Sequence, residues 1–311
     1  NGDRLDAFLT AAKLNERPIY GRILKALQHE LKLSEQLGSL LPLEQRIREL
    51  VEAERQRYHQ EGRRPDLFGW SREQFETEAG QQEYWEMLEI QIGQALDAFA
   101  REQAQQGINQ TFFAEETVRG LRLLEIVGQT YDVVVTNPPY MTARNMNATM
   151  KEAVAKHYPQ GKGDLYAAFL QRGCHLLSAN GRLGMITQQS FMFISSYEKL
   201  REHFTSLVVN DVVGHVGPRA FDEVSGEKVN TVLVVLRREP NAGQRKAAVG
   251  TYFRLVKEPD AQSKQVRFEQ ALARLRQGET DPIVYRYRQS DFAAIPGSPW
   301  VYWITPGLRS L

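Results

Sequence analysis

The chain has 311 residues, of which 42% are hydrophobic, so it can bury a sizeable core in one large domain or two smaller ones. Its 39 basic and 38 acidic residues give a net charge of +1, which is low for a chain devoted to phosphate contact, so any basic face is local or lies outside it. One cysteine, six scattered histidines and no apolar run near the ~20 residues of a membrane span predict no metal site, no membrane partner and a reduced, cytoplasmic setting.

Residues 1–130 carry apolar side chains at helical spacing. One such stripe contains Tyr84, Leu88, Ile92 and Phe99. Because positions three or four apart share one face of a helix, this spacing predicts an all-helical segment. The abundant Glu, Gln and Arg between the stripes are interpreted as a solvated surface.

The pattern changes after residue 130. The continuous β-branched run Val133–Val135 predicts a strand buried on both faces of a sheet. Helices and strands then alternate, which predicts an α/β region with helices over 164–177 and 196–204 and strands over 182–187, 207–213 and 230–237.

Asn137-Pro138-Pro139-Tyr140 follows this first strand directly. Open α/β sheets form their ligand crevices at the carboxyl ends of strands, so the position indicates a site. The two prolines fix their own φ angles, and Pro138 also keeps Asn137 out of the helical region. The turn is therefore expected to be rigid before a ligand binds.

A rigid pair of acceptors suits a poorly nucleophilic amine such as the exocyclic amine of adenine. The side-chain oxygen of Asn137 and the carbonyl of Pro138 can accept both amine hydrogens and turn the nitrogen lone pair toward an electrophile. A base inside duplex DNA must first leave the stack, and aromatic side chains then replace its lost neighbours. We predict that Tyr140 supplies one stacking face and Phe221 the other.

Residues 131–140 resemble motif IV of the gamma-class amino-methyltransferases that modify adenine N6. Later strings resemble the following motifs of that class, in order at 163–169, 181–191 and 220–222 with 229–235; in the last of these motifs an aromatic residue stacks on the flipped base. The long helical stretch with Leu37–Leu41, together with Trp300–Trp303, is similar to the large BREX phage-defence methyltransferases of the PglX type. The resemblance implies site-specific adenine N6 methylation of double-stranded DNA with S-adenosylmethionine, in phage defence or restriction-modification, with other defence proteins as possible partners.

The chain departs from that class in its cofactor motifs. The class binds S-adenosylmethionine through a Gly-rich turn after its first strand and an acidic residue after its second, and the sequence contains neither. The resemblance therefore implies that the main cofactor motif precedes residue 1 and that this chain is a fragment. Its α/β fold is expected to be the second half of a class I (Rossmann-like) methyltransferase sheet preceded by a long all-helical insertion. The expected divisions are 1–130 for the insertion, 131–240 for the catalytic part, and 241–311 for the end of that part and the start of a target-recognition domain.

Asp164 and the carboxy-terminal aromatics each allow two interpretations. Asp164 is a candidate contact to the cofactor or the target base, or an N-cap of the helix that follows it. Trp300, Tyr302 and Trp303 form either a base-stacking platform or, as such clusters more often do, part of a core.

Two alternative functions stay open at this point. The Asn-Pro-Pro-Tyr turn also resembles that of methyltransferases acting on the glutamine side-chain amide of proteins. The long helical stretch and the aromatic loop at Phe221 favour DNA over that substrate. Because the cofactor turn is missing, a non-catalytic DNA-binding or assembly module of a defence complex is the second alternative.

Overall fold

The computed structural model describes residues 37–61, 77–105, 129–221 and 229–304, together with Phe75 and separate positions between 19 and 27. The chain divides into two compact units, residues 1–129 and residues 130–311. In these described stretches, no helix combines the length and the apolar character that crossing a membrane requires.

The first unit is helical where it is described. A short 3-10 helix, Gly38–Leu40, precedes α1 (Leu43–Glu61), and α2 spans Glu78–Gln105. Tyr84, Leu88 and Ile92 of α2 are buried, which confirms the predicted stripe, while the side chain of Phe99 lies outside the described residues. Aromatic rings contribute to this core, with Phe75 and Tyr84 in edge contact at 5.1 Å.

The second unit is built on a six-stranded mixed sheet with the order β1-β2-β4-β3-β5-β6. Its strands are β1 (Tyr131–Thr136), β2 (Leu177–Gln188), β3 (Val208–Gly217), β4 (Thr231–Arg238), β5 (Val249–Arg254) and β6 (Val284–Arg288). The pairs β1/β2 and β3/β5 are parallel, and β4 runs antiparallel to both β2 and β3. Consequently β1, β2, β3 and β5 all point the same way, and their carboxyl ends share one edge of the sheet.

Helices connect these strands. They are α3 (Ala148–His157), α4 (Leu165–His175), α5 (Ser190–Phe193), α6 (Glu198–Leu207), α7 (Ala242–Ala247) and α8 (Ala261–Arg276), with 3-10 turns at Ser195–Tyr197 and Gln289–Ala294. Helix α4 lies close against β2, because a Cβ on Gly173 would come within 2.8 Å of Leu183. The largest buried cluster includes Leu183, Phe191 and Trp300.

Strand β1 is far more exposed than its composition predicts. Val133 is 65% exposed and Val135 is 78% exposed, so the expectation of burial on both faces is wrong for this chain. The reason is topological: β1 is an edge strand of the described sheet and pairs with β2 alone. A β-branched run indicates that a strand is suited to burial, but in this chain neither face of β1 is fully covered.

Candidate functional site

The Asn-Pro-Pro-Tyr turn lies at the carboxyl edge of the sheet, as predicted. Asn137 follows β1 immediately, and Ser190 stands two residues beyond the end of the parallel strand β2. His215 lies near the carboxyl end of β3, which runs in the same direction. Asn137 and Ser190 therefore follow two neighbouring strands at one edge, where open α/β sheets hold their ligands, and His215 lies buried at the same edge.

Within the turn, exposed and buried residues alternate. Asn137 and Pro139 are exposed, Pro138 is buried and Tyr140 is half-buried. Burial of Pro138 anchors the turn to the protein, while the Asn137 amide remains open to a ligand. That amide offers one acceptor oxygen and two donor hydrogens.

The exit of the turn is tied to the start of α4. The N–H of Leu165 donates to the carbonyl of Met141 at 2.9 Å, and the N–H of Met141 donates to Oδ1 of Asp164 at 3.0 Å. The same Oδ1 accepts from the N–H of Tyr166 at 3.3 Å, so Asp164 is the N-cap of α4 and that interpretation is confirmed. Burial raises the pKa of Asp164 above its usual value, and the backbone donors oppose that rise.

A group of tyrosines surrounds this exit. The rings of Tyr140 and Tyr166 meet edge to face with centroids 6.2 Å apart, and Tyr166 also contacts Tyr197 at 6.0 Å. The hydroxyl of Tyr166 shares a 2.7 Å hydrogen bond with Oγ of Ser190. Because burial raises the pKa of Tyr166 far above 10, its hydroxyl stays protonated and acts as a structural hydrogen-bonding group.

Sequence reasoning missed Ser190 and Tyr197. A signal for Ser190 existed, because a polar residue just beyond a parallel strand lies at the ligand-binding edge. No local pattern points to Tyr197, whose place beside Tyr166 depends on how the segment after β2 folds back.

The structure does not bring Phe221 to Tyr140. Phe221 lies beyond the end of β3 and is 44% exposed. Among the described residues, the ring that contacts Tyr140 is that of Tyr166, and Phe221 forms no aromatic pair with either. Its neighbours 222–228, including the rest of the string that resembles the base-stacking motif, lie outside the described residues.

His215 is buried near the carboxyl end of β3, and both of its ring nitrogens are hydrogen-bonded within the protein. It is 4% exposed, with Nδ1 at 2.8 Å from the hydroxyl of Tyr302 and Nε2 at 2.6 Å from Oε1 of Gln189. Burial lowers the pKa of His215 to about 4, and the charges of Arg254 and Lys264 add to the effect. The ring is therefore neutral at physiological pH and serves as a hydrogen-bonding bridge.

The carboxy-terminal aromatics pack against the core. Trp300 and Tyr302 are each 2% exposed, which confirms packing over a base-stacking platform for these two residues. Trp303 is half-buried, and the Arg254 guanidinium lies 4.7 Å from its ring centre.

Cys174 takes no part in the site. It is fully buried in α4, and burial raises the pKa of its thiol to about 12. Across the part of the chain that the structure describes, no three His, Cys, Asp or Glu side chains converge as a metal site would require.

Comparison with known proteins places the chain in a family. Residues 17–213 match the family described as Eco57I restriction-modification methylase. The chain belongs to this family. The match includes β1, the Asn-Pro-Pro-Tyr turn, α4 and β2. Together with two relatives that are adenine-specific methyltransferases, it confirms the resemblance to adenine-modifying methyltransferases.

Two curated relatives support the narrower resemblance to the phage-defence type. The adenine-specific methyltransferase PglX of Lacticaseibacillus casei (strain Zhang) is 40% identical over 183 residues, covering 59% of this chain and 14% of that protein. The adenine-specific methyltransferase BrxX of Escherichia coli O9:H4 (strain HS) is 36% identical over 198 residues, covering 64% of this chain and 15% of that protein. The chain thus spans about one seventh of the length of these relatives.

Among solved structures, a chain from a study of complex assembly and conformational transition in a type I restriction-modification system is similar, with a TM-score of 0.41 and 15% identity. That alignment covers 59% of this chain and 39% of the other.

Proposed function

We propose that this member of the Eco57I restriction-modification methylase family contributes the target-base half of a site-specific, adenine-N6 DNA methyltransferase of phage defence. One observation carries the proposal: an exposed Asn137 amide stands on a proline-fixed turn at the carboxyl edge of the sheet, within the segment matched by the family. Both named relatives are adenine-specific methyltransferases, which supports the choice of substrate.

The residues of the turn have separate roles in this proposal. Oδ1 of Asn137 and the carbonyl oxygen of Pro138 accept the two hydrogens of the adenine amine, so the nitrogen lone pair leaves conjugation with the ring. Pro138 and Pro139 hold these acceptors in place without reorganisation at the moment of reaction. S-adenosylmethionine, when bound, supplies the electrophilic methyl group.

Tyr140 and Phe221 are proposed to replace the neighbours that the flipped adenine loses. Tyr140 is suited to this because its ring is half-buried and already braced at 6.2 Å by Tyr166. Phe221 is exposed and stands between β3 and β4, so its ring is accessible to a ligand. A stacked ring is worth about 1–3 kcal/mol, comparable to the cost of flipping a base.

The chain's own residues fit the target base better than the cofactor. Asp164, the acidic candidate for a cofactor contact, is 3% exposed and its Oδ1 accepts from two backbone N–H groups. We therefore propose that S-adenosylmethionine is held mainly by segments other than residues 131–240.

The sheet order supports the same division. We propose that residues 131–240 form the second half of a class I (Rossmann-like) sheet and that cofactor-binding strands add to the edge of β1 opposite β2. The exposed Val133 and Val135 provide an apolar surface on which covering elements can pack. Residues 1–130 are proposed as a helical insertion and 241–311 as the passage to a target-recognition domain, with β5 and β6 extending the same sheet.

The test is methyl transfer from labelled S-adenosylmethionine to mixed-sequence duplex DNA by the protein expressed from its complete gene. Asn137→Ala removes one of two preorganised contacts, and losses of about 100- to 1000-fold in turnover are typical of such a deletion. Asn147→Ala is the matched control, because Asn147 caps α3 with a 2.8 Å bond to Met150 and lies outside the turn.

The result expected is that Asn137→Ala abolishes most transfer while its DNA binding stays intact and Asn147→Ala remains active. Equal transfer by wild type and Asn137→Ala would refute the role of Asn137. Transfer to glutamine amides of a peptide, and to no DNA, would favour the protein methyltransferase alternative. Absence of transfer to either substrate would favour an assembly module.

A further inference from the structure

The backbone after the Asn-Pro-Pro-Tyr turn pairs with the backbone before α4. Thr142 and Asp164 form an isolated antiparallel bridge. On its two sides, the N–H of Ala143 donates to the carbonyl of Gly163 at 3.0 Å and the N–H of Leu165 donates to the carbonyl of Met141 at 2.9 Å. The short segment 163–165 therefore holds the exit of the turn.

The Asp164 side chain adds a contact nearer to the turn itself. It is 3% exposed, and its Oδ1 accepts from the N–H of Met141, the first residue after Tyr140. The same oxygen accepts from the N–H of Tyr166 at the start of α4. One carboxylate oxygen thus joins the end of the turn to a helix that is anchored in the core.

Tyr166 braces the turn from the same side. Its ring is completely buried and meets the ring of Tyr140 at an interplanar angle of 82°. Its hydroxyl is held by Ser190, beyond the end of the neighbouring strand. Asp164 therefore fixes the backbone that follows Tyr140, and Tyr166 fixes its ring.

Three other helix caps of the described chain bond within the first turn of their own helix. Asn147, Asn241 and Asp260 each accept from an N–H three residues further on. Asp164 also binds a backbone group 23 residues earlier in the chain. Capping α4 accounts for the bond to Tyr166, but it does not require the bond to Met141.

We propose that Asp164 is a positioning residue of the methyl-transfer site, whose side-chain oxygen holds the Met141 N–H and so sets the orientation of the Asn137–Tyr140 turn. This inference rests on the proposed function. In this proposal Asp164 contacts neither the base nor the methyl donor and acts through Met141. Its required contribution is a side-chain oxygen that accepts from the Met141 N–H. Asparagine supplies the same atom and caps helices equally well, whereas alanine supplies none.

The test compares Asp164→Ala, Asp164→Asn and Asp260→Ala in the protein expressed from its complete gene. Asp260 is a matched control, because it caps α8 with a 2.7 Å bond to Ser263 and has no contact with the turn. Melting temperatures of all three variants are measured first. Asp164→Ala and Asp260→Ala each remove one helix cap, so the loss of stability caused by a missing cap is common to both.

Under saturating DNA and methyl donor, we expect kcat of Asp164→Ala to fall by roughly 10- to 100-fold, as small misplacements of reacting groups do. The binding constant of S-adenosylmethionine should stay within about threefold of wild type, a shift under about 0.7 kcal/mol that would not signal a lost cofactor contact. Asp164→Asn should recover most of kcat, and Asp260→Ala should resemble wild type.

An unchanged kcat in Asp164→Ala, or an equal loss in Asp164→Asn, overturns the proposal. Weaker cofactor binding with unchanged kcat also overturns it, in favour of a direct cofactor contact.

A second readout does not depend on activity. Hydrogen exchange at the Met141 amide should be slow in wild type, Asp164→Asn and Asp260→Ala and faster in Asp164→Ala alone. Exchange that is equal in all four proteins overturns the proposal even if activity changes. If the wild-type protein methylates no DNA, the proposed function fails, and exchange at Met141 then decides separately whether Asp164 holds the turn.

Discussion

Replacing Arg201 by methionine should destabilise the second unit strongly, although no acidic side chain binds this arginine within hydrogen-bond distance in the described structure. Arg201 is 1% exposed on α6, and its guanidinium donates to the carbonyls of Phe191 and Ile194 at 2.8 Å each and to that of Gly297 at 3.0 Å. It therefore connects the segment after β2 to the carboxy-terminal part of the chain. Methionine fills a similar volume but leaves the carbonyls of Phe191 and Gly297 without a donor, while the carbonyl of Ile194 still accepts from the N–H of Tyr197 at 3.1 Å.

The magnitude follows from the two acceptors that lose their donor. Each buried acceptor that loses its partner costs about 1–3 kcal/mol, so even the lower bound gives about 2 kcal/mol for Arg201→Met. For a unit the size of residues 130–311, about 2–4 °C is lost per kcal/mol, which corresponds to a drop of about 4–8 °C in Tm.

Urea and thermal unfolding followed by circular dichroism measure this effect. The control is Arg182→Met, because Arg182 pairs with Asp211 at 3.1 Å but is 55% exposed, and exposed pairs contribute about 0–1 kcal/mol. Destabilisation by Arg201→Met that is no larger than that of Arg182→Met would refute the reasoning, since the guanidinium would then contribute little beyond filling space.

Two further predictions concern the positions of His215 and Gly161. The pKa of buried His215 is lowered to about 4, so below about pH 6.5 the unfolded chain takes up a proton that the folded protein does not. The free energy of unfolding should therefore be highest above pH 6.5 and fall by up to roughly 3 kcal/mol as the pH drops toward 4. His215→Gln should remove this pH dependence. An NMR titration in which His215 has a pKa near 6.5 would contradict this. A Cβ on Gly161 would lie 2.6 Å from the backbone of Ala167, so Gly161→Ala should lower the free energy of unfolding by more than about 1 kcal/mol. In the control Gly184→Ala, the new Cβ lies at an ordinary 3.7 Å from Val135 and should be tolerated sterically. Equal melting temperatures for the two variants would contradict the prediction, because the loop before α4 would then shift to accommodate the Cβ.

Several features of the site were predictable because they depend on residues close together in the chain. Two prolines fix the backbone of the Asn-Pro-Pro-Tyr turn, and the apolar run before it forms a strand, so the turn's place at a carboxyl end followed directly. The buried stripe of α2 and the cap at Asp164 were predictable for the same reason, since helical spacing and capping involve residues within about one turn.

Tertiary structure alone decided which partners the buried polar groups have. The bond between Asp164 and Met141 spans 23 residues, and those from His215 to Gln189 and Tyr302 span 26 and 87. No local pattern encodes such pairs, because they form only once β4 has inserted between β2 and β3 and the connecting helices have packed. The exposure of β1 has the same origin: residue type sets the tendency of Val133 and Val135 to be buried, but neighbouring strands and helices determine whether anything covers them.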